Sequence, residues 1–98
     1  MMKKIEVQYF DGCPHAKPAI RLCERFRDEH PPINLILKRV ETNEEAVKVG
    51  FRGSPTILIN GKDLFGDPVL DAPHLACRFY PKGLPDYEEF RRLVKGLN

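Results

Sequence analysis

Cys13, Pro14 and His15 stand where an alternating run, Lys3 to Phe10, gives way to a helical pattern beginning at about residue 14. A cysteine at such a junction faces the positive end of the helix dipole, which favours thiolate over thiol and can lower a thiol pKa to about 3.5–7.5. Proline suits the first helical turn because its missing N–H is not needed there, so Pro14 fixes the helix start beside the sulfur. Two readings of Cys13 follow: a reactive thiol, or a small helix-capping residue with no chemistry. His15 likewise either assists the sulfur, by charge or by a hydrogen bond, or is an exposed polar residue of the first turn. Ala16 occupies the place a second cysteine would take in a Cys-x-x-Cys pair, so no disulfide can close between positions 13 and 16.

The remaining cysteines differ in context. Cys23 shares a stripe with Ala16, Ala19, Ile20 and Phe26, spaced three or four apart, and reads as core. Cys77 falls in a long Pro- and Gly-punctuated stretch, residues 66 to 85. With His74, Cys13 and His15 it offers soft-metal ligands, but the spacing matches no standard zinc pattern, so no metal site is assigned.

The chain that positions these groups has 98 residues, 42% of them hydrophobic, a formal net charge of +2 and three cysteines. Such a chain makes one small domain able to bury a modest core. Its charges are interspersed, with no basic tract that would argue for nucleic acid or a membrane surface. No run approaches membrane-spanning length, and the alternation from Ile5 to Gln8 breaks any signal-peptide core, so a cytoplasmic protein is expected. A sparse, odd cysteine set fits reduced thiols better than a secreted disulfide framework.

Period-two alternation marks a first strand whose faces differ in polarity, with Ile5, Val7 and Tyr9 opposite Lys4, Glu6 and Gln8. Helix one, about 14 to 29, carries Pro18 one turn inside, where a kink or irregular turn is expected. His30-Pro31-Pro32 ends it, and Ile33 to Val40 forms a second strand. Thr42-Asn43-Glu44-Glu45 has capping-box spacing for a short helix closed by Gly50. Thr56 to Asn60 and Lys62 to Phe65 flank an Asn60-Gly61 hairpin turn. Asp86 with Glu89 caps a last helix packed through Tyr87, Phe90, Leu93, Val94 and Leu97. The order β-α-β-α-β-β-α implies an α/β fold: a mixed four-stranded sheet flanked by helices, its first two strands parallel and its last two antiparallel.

That order, the Cys-Pro turn and Phe51-Arg52-Gly53-Ser54-Pro55-Thr56 ahead of an apolar strand resemble the thioredoxin-like superfamily, glutaredoxins included, over nearly the whole chain except residues 66 to 85. Cys77-Arg78-Phe79-Tyr80 is also similar to an element of small bacterial thioredoxin-like proteins with alkylmercury-lyase-type annotations. The resemblance implies a cis Pro55 against Cys13, with the Ser54 backbone free to pair with an extended thiol substrate. Pro14, Ser54, Pro55 and Thr56 are then the substrate-binding set; the residues themselves offer Cys13, His15 and Cys77 as the catalytic one, with Cys77 either a resolving thiol or a plain loop cysteine. If the third strand starts at the Cys13 end, the fourth returns toward it, and Cys77 in the following loop could come within disulfide reach, roughly 4.4–6.8 Å between Cα atoms.

The expected function is thiol–disulfide oxidoreduction by a single cysteine, resolved by a small thiol or by Cys77. Partners would be thiol or disulfide substrates, glutathione as a co-substrate or a protein among them, with no resident cofactor, and the chain acting as a monomer or homodimer. The alternatives are a non-enzymatic thiol or soft-metal binder, and a scaffold binding protein chains along the Ser54-Pro55 edge.

Overall fold

The computed structural model describes residues 3–66 and 83–97. The elements are β1 (Lys3–Tyr9), α1 (Ala16–Glu29), β2 (Ile33–Arg39), α2 (Asn43–Val49), β3 (Thr56–Ile59), β4 (Lys62–Asp63) and α3 (Tyr87–Gly96). The four strands form one sheet in the order β2-β1-β3-β4. β1 and β2 run parallel, from Lys3 opposite Ile33 to Tyr9 opposite Arg39. β3 is antiparallel to both its neighbours, with Val7 opposite Ile57 and Leu58 opposite Asp63. The architecture is the mixed, helix-flanked α/β sheet that the element order implies.

One sheet face holds the larger core. Ile5, Val7, Ile57 and Ile59 pack with Ala19, Cys23 and Phe26 of α1 and with Phe90 and Val94 of α3. Phe26 and Phe90 meet edge to face, ring centroids 6.1 Å apart, the arrangement the aromatic quadrupole prefers. At its far end α1 is braced to α3: the Tyr87 hydroxyl donates to Glu29 Oε1 at 2.8 Å, and Arg25 lies 3.8 Å over the Tyr87 ring.

A second cluster, Val40, Ala46 and Phe51 with Phe10 and Val49, seats α2. The polar side of β1 is covered at its carboxyl end, while Lys4 at the other end is exposed. Gln8 is only 1% exposed, and its Nε2 donates to Glu6 Oε2 at 2.6 Å and to the Val49 carbonyl at the end of α2. A glutamine serves there because the last carbonyls of a helix lack intrahelical donors.

Local chemistry accounts for the element ends. Thr42 Oγ1 accepts from Glu45 N at 3.0 Å and Asp86 Oδ1 from Glu89 N at 2.9 Å, so both expected caps form. Asn60 and Gly61 have φ of 51° and 86°, the double positive φ of a type I′ hairpin turn. β4 is two residues long, shorter than the expected Lys62 to Phe65. Asp63 stops it: its Oδ2 accepts from Phe65 N and its carbonyl from Gly66 N, which turns the chain out of the ladder.

Helix α1 starts at Ala16, two residues later than expected. Cys13 to Ala16 form a turn closed by Ala16 N–H to the Cys13 carbonyl at 3.2 Å, with His15 at φ −91°, ψ −7°, the third position of a type I turn. Proline is favoured at the second position of that turn, which Pro14 occupies. The later start changes the meaning of Pro18. It becomes the third helical residue, where the backbone N–H has no intrahelical acceptor, so the proline removes no helix bond and the reason for expecting a kink disappears.

Among the described residues no helix is long and apolar enough to cross a membrane.

Candidate active site

Cys13 sits at the carboxyl end of β1, in the turn that leads into α1. Gly12 precedes it with φ at 92°, a conformation L side chains rarely adopt, so the chain can reverse there into the Cys13-Pro14 turn. The thiol faces the segment before β3. Cys13 Sγ donates to the Ser54 carbonyl at 3.2 Å, and the Ser54–Pro55 peptide bond is cis. Two further contacts hold that segment. Ser54 Oγ accepts from Phe10 N–H at 3.3 Å. Thr56 Oγ1 donates to the Gly53 carbonyl at 2.6 Å and accepts from Arg52 N–H at 3.1 Å. Both hydroxyls are therefore engaged within the protein.

Burial separates the expected site residues. Cys13 is 6% exposed; Ser54 and Thr56 are wholly buried, and Pro55 is also fully buried. The resemblance implied a Ser54 backbone that pairs with substrate; in this structure its carbonyl accepts a hydrogen bond from the Cys13 thiol. A carbonyl can accept from S–H but offers a thiolate only a lone pair, so this contact belongs to the protonated sulfur. The α1 dipole acts in the opposite sense, favouring the anion.

Cys13 lines a cavity of about 440 Å³, walled also by Tyr9, Phe10, Pro14, Ala16 and Ile20, with Asp11 and Lys17 supplying its charged groups. Ser54, Pro55 and Thr56 do not line it. A smaller cavity of about 290 Å³ adjoins it across Phe10 and Asp11, where Arg39 pairs with Asp11 at 3.1 Å and with Glu41 at 2.6 Å.

His15 is the N-cap residue of α1, and its side chain makes no capping hydrogen bond. Pro14 is exposed at the cavity wall. Cys23 is fully buried in the core, as its place on the apolar stripe implied, and burial, aided by the nearby Glu24 charge, pushes its thiol from 9.0 up to about 12. Cys77 and His74 lie outside the described residues, as does most of the expected 66-to-85 insertion. Among the described residues no three His, Cys, Asp or Glu side chains converge to hold a metal ion.

Lys17 went unnoticed in the sequence, where it is one of many dispersed cations; only the start of α1 at Ala16 sets it beside the cavity. The thiol-to-carbonyl contact was equally hidden, since it joins positions 41 residues apart.

A strand-turn-helix that delivers a cysteine against a cis-proline segment, on a mixed four-stranded sheet, is the arrangement of the thioredoxin-like proteins. A thioredoxin of Methanocaldococcus jannaschii is 30% identical over 76 residues, an alignment covering 72% of this chain and 89% of that protein. No protein-family model matches the chain. The chain belongs to the thioredoxin-like superfamily.

Proposed function

We propose that the protein is a thiol–disulfide oxidoreductase working through Cys13 alone in its first step. The observation that carries this is the seat of Cys13: at the entry to α1, lining a cavity, its sulfur 3.2 Å from the Ser54 carbonyl. The relative's name, thioredoxin, supports the same class.

Cys13 loses its proton to solvent and attacks one sulfur of a disulfide R–S–S–R′. A Cys13–S–S–R bond forms as the old S–S bond breaks, and R′S⁻ leaves with the electron pair and is protonated. With Ala16 three residues on, no neighbouring cysteine can resolve this intermediate. The second half therefore needs a small thiol such as glutathione, or Cys77. The small thiol attacks the R sulfur, so Cys13 leaves as thiolate and the oxidation departs as a thiol–S–S–R disulfide. Cys77 instead attacks the Cys13 sulfur, R–S⁻ leaves and is protonated, and the Cys13–Cys77 disulfide is then reduced by a small thiol such as glutathione. His15, two residues on at the N-cap of α1, is the side chain assigned to assist the sulfur, by charge or by a hydrogen bond.

Turnover of a low-molecular-weight disulfide with glutathione as reductant tests this. Cys13→Ser is expected to reduce the rate to the uncatalysed background, and retained activity would overturn the proposal. Cys77→Ala then separates the two resolving routes, since only resolution by Cys77 is lost with it.

A further inference from the structure

We infer that the disulfide substrate reaches Cys13 through the Tyr9–Pro14–Ile20 cavity, and that Lys17 selects apolar or aromatic disulfides that carry a carboxylate. This deepens the oxidoreductase reading and rests on it.

Access is the first argument. Cys13 lines the cavity, whereas Ser54, Pro55 and Thr56 are buried and do not, which favours approach to the thiol from the β1–α1 side. The thiol proton is held on the Ser54 side. At about 440 Å³ the cavity falls within the roughly 300–1,000 Å³ typical of small-molecule sites. Its walls are mainly apolar and aromatic, with Tyr9, Phe10, Pro14 and Ile20 offering faces for a ring or alkyl group rather than for a polar chain.

Charge supplies the selection. Asp11, the cavity's acid, is paired with Arg39 at 3.1 Å, a guanidinium it shares with Glu41 at 2.6 Å. Lys17, its cation, is exposed and makes no ion pair among the described residues. No acidic residue occupies the first turn of α1, so nothing there offsets Lys17 or the positive end of the helix dipole. One uncommitted ammonium on a flexible stem, at the wall of an apolar cavity that Cys13 also lines, complements a carboxylate attached to a hydrophobic disulfide.

Two aromatic disulfides of similar size distinguish the charge from the cavity: dithiobis(nitrobenzoate), anionic on each ring, and dithiodipyridine, neutral. Consumption of the Cys13 thiol is followed by peptide mass spectrometry. Lys17→Glu is expected to slow dithiobis(nitrobenzoate) about fivefold at low salt, the scale of an exposed ion pair, and to leave dithiodipyridine unchanged, with the difference shrinking as salt is added. Ile20→Trp, which fills the cavity, is expected to slow both. If Lys17→Glu slows both probes alike or slows neither, the assignment is overturned, and this variant changes only an exposed side chain. Should the Lys17 selectivity appear in a protein that gives no turnover with glutathione, the cavity assignment stands and the oxidoreductase reading fails. Turnover by a protein indifferent to Lys17 gives the converse.

Discussion

Ten residues separate Cys13 from Cys23, yet the two thiols occupy opposite chemical worlds. Cys13 precedes the first turn of α1, lines a cavity and has a carbonyl partner outside its own helix. Cys23 lies on the helix face turned to the sheet, sealed between β1, β3 and α3. Burial penalises its anion, so it remains a packing group with its thiol up near 12. The same side chain is thus a candidate nucleophile or a small hydrophobe according to where α1 begins and which way its faces point. Cysteine content alone says little about reactivity; position relative to a helix start says much more.

The sharpest way to break this contrast is to label both thiols in the native protein. Cys13 is expected to be alkylated at least about a thousandfold faster than Cys23, because Cys23 reacts only when the core opens, an event that costs several kcal/mol. Comparable rates, read by peptide mass spectrometry, would erase the distinction.

A smaller effect lies at high pH. The Cys23 pKa is raised in the folded state, so between about 9 and about 12 the unfolded chain releases a proton that the folded one keeps. That linkage favours unfolding as pH rises, by up to about 1.4 kcal/mol per pH unit. Cys23→Ala is expected to flatten this decline, as measured by denaturant titration from pH 8 upward; an unchanged slope would mean that Cys23 is not the group responsible.

The least effect is expected at the far end of α1. The Arg25 hydrogen bond, and then that from Tyr87, hold the Glu29 carboxyl below its usual range. Tyr87→Phe should move the Glu29 titration back upward by NMR while leaving Cys13 exchange unaltered, which would confirm that this brace serves packing and not the cavity. A change in exchange rate would instead join the two ends of the helix.

Much of this architecture could be read from residue patterns because it rests on local rules. The Asn60-Gly61 turn, the Thr42 and Asp86 caps and the Cys23 stripe each depend on residues a few positions apart, and each forms. What escaped depends on distant partners or on competition between two local signals. Gln8 lies on the polar face of the alternation, yet α2 packs over it and its amide meets the Val49 carbonyl 41 residues away. Pro14 satisfied the rule for a first helical residue and also the rule for the second position of a turn, and the turn won, moving the helix start to Ala16. That shift removed the expected kink at Pro18. The site residues were picked out in part by resemblance, and their roles were less visible than their identities: Ser54 and Thr56 spend their hydroxyls on Phe10, Arg52 and Gly53.

The bond from Phe10 N–H to Ser54 Oγ, beside the contact of Cys13 with the Ser54 carbonyl, reaches across more than forty positions of the chain. Such a seat cannot assemble until β3 has zipped onto β1, so it is among the long-range closures that fold slowly. During synthesis, a chain grown only as far as residue 50 would already display Cys13 but without its seat. The cysteine acquires its carbonyl partner only with the second half of the sheet, so the order of translation itself delays the site until β3 has been made.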